Sequence, residues 1–336
     1  MRKTTIFFLL IDLIAIGCFV LFYGPNENFR NTIVNTAMVT KTHQYIAYTF
    51  YDENTIQKIL ELNKYIPVSG EMDLDAIVID TAEKKSYDNE YDEEILKRDK
   101  GNDEYKYLKV KVGKYNAHMI AVYHPENVKL LTIKKFSRGG NQETVLNMCK
   151  RYGALSCINA GGFHDPDGWG SDTPVGYVIK DGEVVYAEDN SKHDIIGITK
   201  ENKLALINAT GEEAISMGIR DGVQFGPFLI LNGESIKYNS SAGGYDRAAR
   251  VAIAQRKDGV ILFLATEGPH GSGPTMKEVI DTLELYGAYN AANLDGGTSA
   301  QMVINNKLVN NPKNVFGQSV AGGRRVVTSF GLMPSK

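Results

Sequence analysis

The stretch AANLDGGTSAQMV (residues 291–303) places a single carboxylate, Asp295, between an apolar run and a glycine turn. Glycine beside an acid lets the backbone adopt conformations closed to other residues and lets a ligand approach closely. The hydroxyls of Thr298 and Ser299 follow, and they can donate hydrogen bonds to the carboxylate or to a ligand. A carboxylate held this way suits a charge stabiliser, a base or a nucleophile. The alternative is a tight turn in which Asp295 caps its own backbone.

The same pattern occurs earlier in the chain. Aligned without gaps, YGALSCINAGGF (152–163) and YGAYNAANLDGG (286–297) share Tyr, Gly, Ala, Asn and the penultimate Gly. Each follows a predicted helix, passes through a short apolar strand and opens into a glycine turn. Ligands often bind at such strand ends in sheets that carry helices on a face. The two stretches therefore predict either two loops of one site or two ordinary helix–strand connections.

Hairpin signals dominate the chain from about residue 107. Asp-Gly, Asn-Gly or Asn-Asn pairs separate the extended runs in YVIKDGEVVYA, FLILNGESI, AIAQRKDGVILFLAT and QMVINNKLV. Helical apolar spacing occurs at 141–153 and 275–287, and Thr275 with Glu278 opens the second helix as a capping box. Because hairpins outnumber helical crossovers, we predict an α+β fold with a mixed, largely antiparallel sheet and packed helices.

Composition argues against a general nucleic-acid binder, since the 336 residues carry a net charge of −3. With 43% apolar residues, the chain can form a sizeable core. We predict a membrane segment (1–24), a linker with a helical N-terminal region (25–106) and a main domain (107–336).

The N-terminal segment MRKTTIFFLLIDLIAIGCFVLFYG predicts a signal anchor. Its apolar run from Thr4 to Tyr23 is long enough to span a bilayer, and Arg2 and Lys3 favour a cytoplasmic N-terminus. The run lacks a small-residue cleavage site, which favours an uncleaved anchor, although Asp12 is costly inside a membrane. We expect a single-pass protein of the cell membrane with its main domain extracellular; a cleaved signal is the alternative.

Cysteine and histidine usage gives no signal for a cofactor. Cys18 lies in the apolar segment, and we expect Cys149 and Cys157 to be buried free thiols, with a single bridge between them as the alternative. No CxxC or His-rich spacing indicates structural zinc. The prediction therefore contains no metal and no cofactor.

Two further groups of residues suit binding chemistry. In the loop NAGGFHDPDGWG (159–170), Asn159 can hydrogen-bond a sugar or an amide, and Phe163 and Trp169 can stack on a sugar face. The run from His164 to Asp167 offers metal ligands or an acid and a base, or simply a surface turn. Arginines suit phosphate oxygens, and four of them precede strands. These are Arg247, Arg250, Arg324 and Arg325.

Six separated motifs resemble the phosphodiester glycosidase family. They are INAGGF (158–163), FGPFLILNG (225–233), RVAIA (250–254), EGPHGSGPTMKEV (267–279), NLDGGTSAQM (293–302) and RRVV (324–327). Members of that family include N-acetylglucosamine-1-phosphodiester alpha-N-acetylglucosaminidases and bacterial exopolysaccharide biosynthesis proteins. The resemblance departs from the family pattern at Thr298, where a third glycine is usual, and at Ala254, where a glycine is usual. These changes leave the identity of the substrate open.

The resemblance implies a hydrolase that cleaves the bond between a sugar anomeric carbon and a phosphodiester, in a surface glycan or exopolysaccharide. It implies Asp295 and Glu267 as the catalytic carboxylates. The expected substrate-binding residues are Asn159, Phe163, Arg250, Thr298, Ser299 and Arg325. The expected partners are a glycan or sugar phosphate and the membrane, with no nucleic acid. The alternatives are a non-catalytic, surface-anchored glycan-binding protein and a glycosyl transferase of exopolysaccharide assembly.

Overall fold

A computed structural model describes residues 3–39, 44–68, 70–136, 141–165, 172–239, 247–268, 272–314 and 317–335. The chain forms two compact units, which we describe separately. The first comprises Met1–Ile66 and Tyr238–Arg247, and the second comprises Pro67–Lys237 and Ala248–Lys336. The domain boundary at residue 107 stays a prediction, and residues 67–106 fall within the second unit.

The first unit is helical. Its elements are α1 (Lys3–Tyr23), α2 (Glu27–Val39), α3 (Gln44–Phe50), α4 (Glu53–Asn63) and the short strand β1 (Tyr65–Ile66). The α1 segment Thr5–Tyr23 is long and apolar enough to cross a membrane, a property that a signal sequence shares. The N-terminal apolar helix is therefore a candidate anchor.

A small core holds the first unit together. Buried Val34, Ala47 and Ile56 bring α2, α3 and α4 into contact. At the end of α1, the ring of Phe22 stacks on Phe50 with centroids 4.0 Å apart. Burial of one apolar stripe from each helix explains why these short helices are stable together.

The second unit is built around a seven-stranded sheet. Its order is β13 (Glu234–Ser235), β12 (Phe228–Leu231), β17 (Ala288–Leu294), β15 (Val251–Arg256), β16 (Ile261–Thr266), β3 (Tyr115–Val122) and β2 (Tyr105–Val112). Every neighbouring pair in this sheet is antiparallel.

Two five-stranded antiparallel sheets accompany it. One has the order β10 (Leu204–Ala209), β9 (His193–Thr199), β11 (Ile219–Gln224), β7 (Tyr177–Lys180) and β8 (Glu183–Ala187). The other has the order β19 (Lys307–Leu308), β18 (Met302–Ile304), β6 (Ser156–Asn159), β21 (Thr328–Leu332) and β4 (Val128–Thr132). A ribbon pairs β5 (Glu143–Thr144) with β20 (Arg325–Val326), and β14 covers Lys237–Tyr238. The predicted α+β class is confirmed, with the strands divided among several sheets.

One apolar core joins the three sheets, with Phe263, Val178 and Ile158 as representative members, one from each sheet. Helices pack on other sheet faces: α6 (Val145–Tyr152) on the β6 sheet, α7 (Gly211–Ser216) on the β7 sheet, and α8 (Met276–Leu285) with α5 (Glu90–Leu96) on the large sheet. Short 3-10 helices lie at Pro125–Asn127 and Gly297–Ser299.

Local signals place the helix ends. The capping box of Thr275 and Glu278 is present, and each side chain bonds the other's backbone N–H, at 3.2 and 2.7 Å. Gly153 ends α6 in the left-handed conformation, with φ of 70°.

The expectation of free thiols at Cys149 and Cys157 is wrong, because the two form a disulfide. Cys149 lies on the buried face of α6 and Cys157 on the following strand, β6. The left-handed turn at Gly153 folds the strand back under the helix and brings the two Cα atoms to 6.0 Å. Cys18 is a free, exposed cysteine on α1.

Candidate active site

The two similar glycine turns meet at one edge of the fold. The N–H of Asp295, just after β17, donates to the carbonyl of Ala160, just after β6, at 3.0 Å. The side-chain amide of Asn159 donates to the carbonyl of Asp295 at 2.5 Å. The strand ends that resemble each other in sequence are thus hydrogen-bonded neighbours.

Asp295 is a partly exposed carboxylate from which the surrounding protein excludes much of the water. Burial by the surrounding protein raises the pKa of Asp295 from 3.8 to about 6. A hydrogen bond from Ser299 and the positive charge of Arg324 oppose that rise, and the negative charge of Asp165 adds to it. A carboxyl group with this pKa exchanges a proton near neutral pH, as general acid–base chemistry requires.

The glycines after Asp295 serve close packing. A Cβ on Gly296 would lie 2.6 Å from the carbonyl oxygen of Ala249, on the segment leading into β15. Gly297 has φ of 58° and donates its N–H to the same oxygen at 2.7 Å. Gly296 leaves no room for a side chain at this contact, and Gly297 supplies the left-handed conformation, which glycine adopts without strain. The Gly-Gly pair therefore fixes the direction in which Asp295 leaves its strand.

Asn159 is buried and fully engaged with the protein. Its Nδ2 donates to Asp295, and its Oδ1 accepts the N–H of Gln301 at 2.9 Å. Both amide groups thus tie β6 to the turn that carries the carboxylate. These bonds give Asn159 a positioning role, and its contact with a substrate stays a prediction.

The arginine beside Asp295 is Arg324, whereas Arg325 is exposed on β20. Arg324 forms an ion pair with Asp165, and its Nη1 lies 3.5 Å from the hydroxyl of Ser299. Neighbouring residues of an extended chain point to opposite sides, so a shift of one position decides which arginine faces the site. The structure therefore places Arg324 beside Asp295, and the substrate-binding role of Arg325 stays a prediction.

Phe163 and Thr298 complete this side of the site. The Arg324 guanidinium carbon lies 5.0 Å above the centre of the half-buried Phe163 ring. Thr298 is partly exposed in the short 3-10 helix, and Ser299 beside it is buried. The cation–π contact holds the Arg324 side chain against the Phe163 ring.

Arg250 stands across the sheet from Asp295. Val251 pairs with Leu294, so continuing the register by one residue places Arg250 opposite Asp295. The N–H of Arg250 donates to the hydroxyl of Thr266 at 2.7 Å. The antiparallel register therefore brings the backbone of Arg250 next to that of Asp295.

Glu267 follows β16, and β15 lies between β16 and β17. Because two strand spacings separate them, the backbone of Glu267 lies about 10 Å from that of Asp295. Its Oε1 accepts the N–H of Asn311 at 3.2 Å and lies 3.4 Å from Nε2 of His118. The other ring nitrogen of His118 is 2.8 Å from the hydroxyl of Tyr107. Burial lowers the pKa of His118, which favours a neutral imidazole beside the carboxylate.

Gln301 is a site residue that the sequence did not reveal. Besides its bond to Asn159, its Nε2 donates to the carbonyl of Arg324 at 2.8 Å and to that of Ser299 at 3.3 Å. The backbone N–H of Gln301 thus binds Asn159, and its side chain binds the segments of Ser299 and Arg324. The partners of the side chain are backbone carbonyls, which no side-chain pattern in the sequence indicates.

The loop after Phe163 is held by a hydrogen-bonded pair of side chains. Nε2 of His164 lies 2.8 Å from Oε1 of Glu188, whose other oxygen accepts the N–H of Gly176 at 2.8 Å. Within the described parts of the chain, no group of three or more His, Cys, Asp or Glu could hold a metal ion. Asp167 and Trp169 lie outside the described residues.

Comparison with known proteins places this site in a family. A family model described as phosphodiester glycosidase matches residues 152–333, more than half of the chain. The chain belongs to the phosphodiester glycosidase family. The predicted resemblance is confirmed, and residues 152–333 form a domain of the glycosidase type.

A solved structure with the same fold is the catalytic domain of zebrafish N-acetylglucosamine-1-phosphodiester alpha-N-acetylglucosaminidase, auto-inhibited by its pro-peptide. The TM-score is 0.52 with 20% identity, covering 69% of this chain and 82% of that one. The SPbeta prophage-derived uncharacterized protein YomE of Bacillus subtilis (strain 168) is 30% identical over 187 residues, 51% of this chain. The chain covers 27% of YomE's length, about a quarter.

Proposed function

We propose that this phosphodiester glycosidase hydrolyses a sugar-1-phosphodiester, of the N-acetylglucosamine-1-phosphodiester type, in a surface or exopolysaccharide glycan. The observation that carries the proposal is Asp295, partly exposed at the end of β17 with a pKa near 6, beside the guanidinium of Arg324. A basic carboxylate next to a cation suits a reaction that separates a sugar from a phosphate.

Asp295 acts in this proposal at the anomeric carbon. Water attacks that carbon while Asp295 takes a proton from the water. The bond between the carbon and the phosphate oxygen breaks, and its electron pair stays on that oxygen. The products are a free sugar and a phosphate monoester. Because burial raises the pKa of Asp295, it is a stronger base than an ordinary aspartate. Inversion at the anomeric carbon is the outcome expected of a base, and retention that of a nucleophile.

The arginines receive the charge that develops on the leaving phosphate. Arg324 lies beside Asp295, the register of the sheet places the backbone of Arg250 next to Asp295, and a guanidinium matches phosphate oxygens in shape and charge. Arg325 stays a prediction, and its exposed position makes Arg324 the better supported phosphate ligand. Glu267, hydrogen-bonded at the end of β16, is the proposed second carboxylate.

Two observations support an extracytoplasmic location on a single-pass anchor. The Cys149–Cys157 disulfide is typical of oxidising compartments, and the apolar α1 is long enough to span a bilayer. Digestion of intact cells with an added protease tests this proposal. Cleavage of the main domain without lysis is expected, and full protection until lysis contradicts it.

The catalytic proposal is tested with Asp295→Asn and a synthetic N-acetylglucosamine-1-phosphodiester. The parent protein should release sugar and phosphate monoester, and the variant should lose this activity while keeping its fold. Asp281→Asn, on the exposed side of α8, is the matched control and should keep full activity. Near-normal turnover by Asp295→Asn removes the assigned role.

The same assay separates the alternative functions. A glycan-binding protein would bind the saccharide without forming product, both in the parent and in Asp295→Asn. A transferase would form product mainly when an acceptor glycan is added, and the sugar would appear on that acceptor.

A further inference from the structure

Asn293 is a buried amide two residues before Asp295 on β17. Side chains alternate along a strand, so both residues project from the same face. Only 5% of Asn293 is exposed. Its Nδ2 donates to the carbonyl of Gly226 at 2.9 Å, which identifies the other terminal atom as the oxygen. Within the described parts of the chain, that oxygen has no hydrogen-bond donor.

A buried acceptor without a donor costs about 1–3 kcal/mol, and folded proteins keep few of them. Asn290, three positions earlier on the same strand, shows the ordinary arrangement. Its Oδ1 accepts the N–H of Asn232 at 2.9 Å, and its Nδ2 lies 3.4 Å from the carbonyl of Leu204. The unpaired Oδ1 is therefore particular to Asn293 and is not shared by the other buried asparagine of this strand, Asn290.

The position borders the site. The N–H of Asn293 donates to the carbonyl of Pro227 at 3.0 Å, and the N–H of Asp295 donates to that of Ala160 at 3.0 Å. The segment around Pro227 and the end of β6 thus follow one another along the same edge of β17. Phe225 packs so tightly against Gly162 that a Cβ there would lie 2.9 Å from its ring. Asn293 and the glycine turn after Asn159 therefore line neighbouring parts of one edge.

The chemistry of the open atom limits its ligand. A carbonyl oxygen accepts hydrogen bonds only, and an ionised phosphodiester has no proton to donate. A sugar has several hydroxyl donors, and an acetamido sugar also has an N–H. Asn293 therefore suits the sugar half of the substrate, whereas Arg324 and Arg250 suit the phosphate half.

We propose that Oδ1 of Asn293 accepts a hydrogen bond from a neutral O–H or N–H donor on the sugar ring bound at Asp295. Asn293 is then a specificity residue, which selects sugars that carry a donor at one ring position. This inference rests on the proposed function, because it assumes a glycosyl group beside Asp295.

The experiment compares Asn293→Ala with Asn290→Ala as the matched control on the same strand. Each folded variant is assayed on N-acetylglucosamine-1-phosphodiester and on analogues that each lack one donor, at positions 2, 3, 4 or 6 of the sugar. For the parent, kcat/KM should be roughly 10- to 100-fold lower on one of the analogues than on the full substrate. That analogue leaves Oδ1 of Asn293 unpaired. Asn293→Ala should lose that preference, and Asn290→Ala should keep it.

The inference would be overturned if Asn293→Ala kept the parent's ratio of kcat/KM between the full substrate and the analogue at every position. A sugar-bound structure in which only water contacts Oδ1 of Asn293 would also overturn it. Failure of the proposed function looks different, since the parent then releases sugar from none of the substrates. In that case calorimetric binding of the same free sugars to the parent and to both variants tests Asn293 without catalysis. Loss of the single-position preference in Asn293→Ala alone supports the role, and an unchanged preference contradicts it.

Discussion

The turns after β6 and β17 are similar in sequence and lie side by side, yet they do different work. Asn159 in the first turn is buried, and both ends of its amide bind the protein backbone. Asp295 in the second is partly exposed, and burial raises its pKa to about 6. The amide of Asn159 thus supports the turn that carries Asp295. In the proposed mechanism, similar strand ends divide structural support and chemistry between them.

The largest expected effect is the loss of activity when the carboxylate of the second turn is replaced. Asp295→Asn should lower kcat by about 10²–10⁴-fold, the usual contribution of a positioned acid or base. Steady-state kinetics on a sugar-1-phosphodiester measures this loss, with Asp281→Asn as control. A loss below threefold would place the chemistry elsewhere.

The same variant should be more stable than the parent above pH 6. Folding raises the pKa of Asp295 from 3.8 to about 6, so ionising it costs folded-state stability as pH rises through this range. Removing the charge should therefore add about 2–3 kcal/mol to the free energy of unfolding at pH 7 and little at pH 4. Urea unfolding at both pH values measures the difference. A gain of equal size at both would contradict the assigned cause.

Removing the supporting amide of Asn159 should lower the free energy of unfolding. Asn159→Ala leaves the N–H of Gln301 and the carbonyl of Asp295 without their partner, so unfolding should become easier by about 2–4 kcal/mol. Asn159→Asp retains the acceptor for Gln301 and is the comparison for the donor alone. Thermal and urea unfolding measure both. If Asn159→Ala keeps its stability but loses substrate affinity, Asn159 binds substrate after all.

The glycines after Asp295 sharpen the comparison by separating close packing from backbone conformation. Gly296→Ala should cost about 2–3 kcal/mol, since its Cβ would meet the oxygen of Ala249 at 2.6 Å. Gly297→Ala has open space and should cost about 1 kcal/mol, for its left-handed conformation alone. Unfolding free energies of the pair give the order, and a reversed order would contradict this explanation.

The smallest expected effect concerns the charges around Asp295. If Asp295 works as a base, activity falls below its pKa, near pH 6. Arg324→Gln removes the positive charge that lowers the pKa of Asp295, and should move this limb to higher pH. Asp165→Asn removes a negative charge that raises it, and should move the limb to lower pH, each by less than about one unit. The profile of kcat/KM against pH measures both shifts, and shifts of the same sign would rule out the charge model.

Much of the fold was predictable because its signals are local. The Thr275–Glu278 capping box, the left-handed Gly153 and the hairpin dipeptides act within a few residues of one another. Pattern and propensity at that range predict helices and antiparallel strands without knowledge of the partners. The family motifs also bring Asn159, Arg250, Ser299 and Asp295 into one list.

What those residues do was decided by contacts between distant parts of the chain. The backbone N–H of Gln301 donates to Oδ1 of Asn159, and its side chain donates to the carbonyl of Arg324. The charge of Arg324 acts on Asp295, whereas Arg325 is exposed on β20. The Cys149–Cys157 bond depends on how helix α6 folds back over strand β6. By itself, then, the sequence determined the elements and the family, and it predicts Asp295 as the catalytic carboxylate. Only the tertiary structure decided the pKa of Asp295 and its partners, because desolvation and charge depend on distances in space.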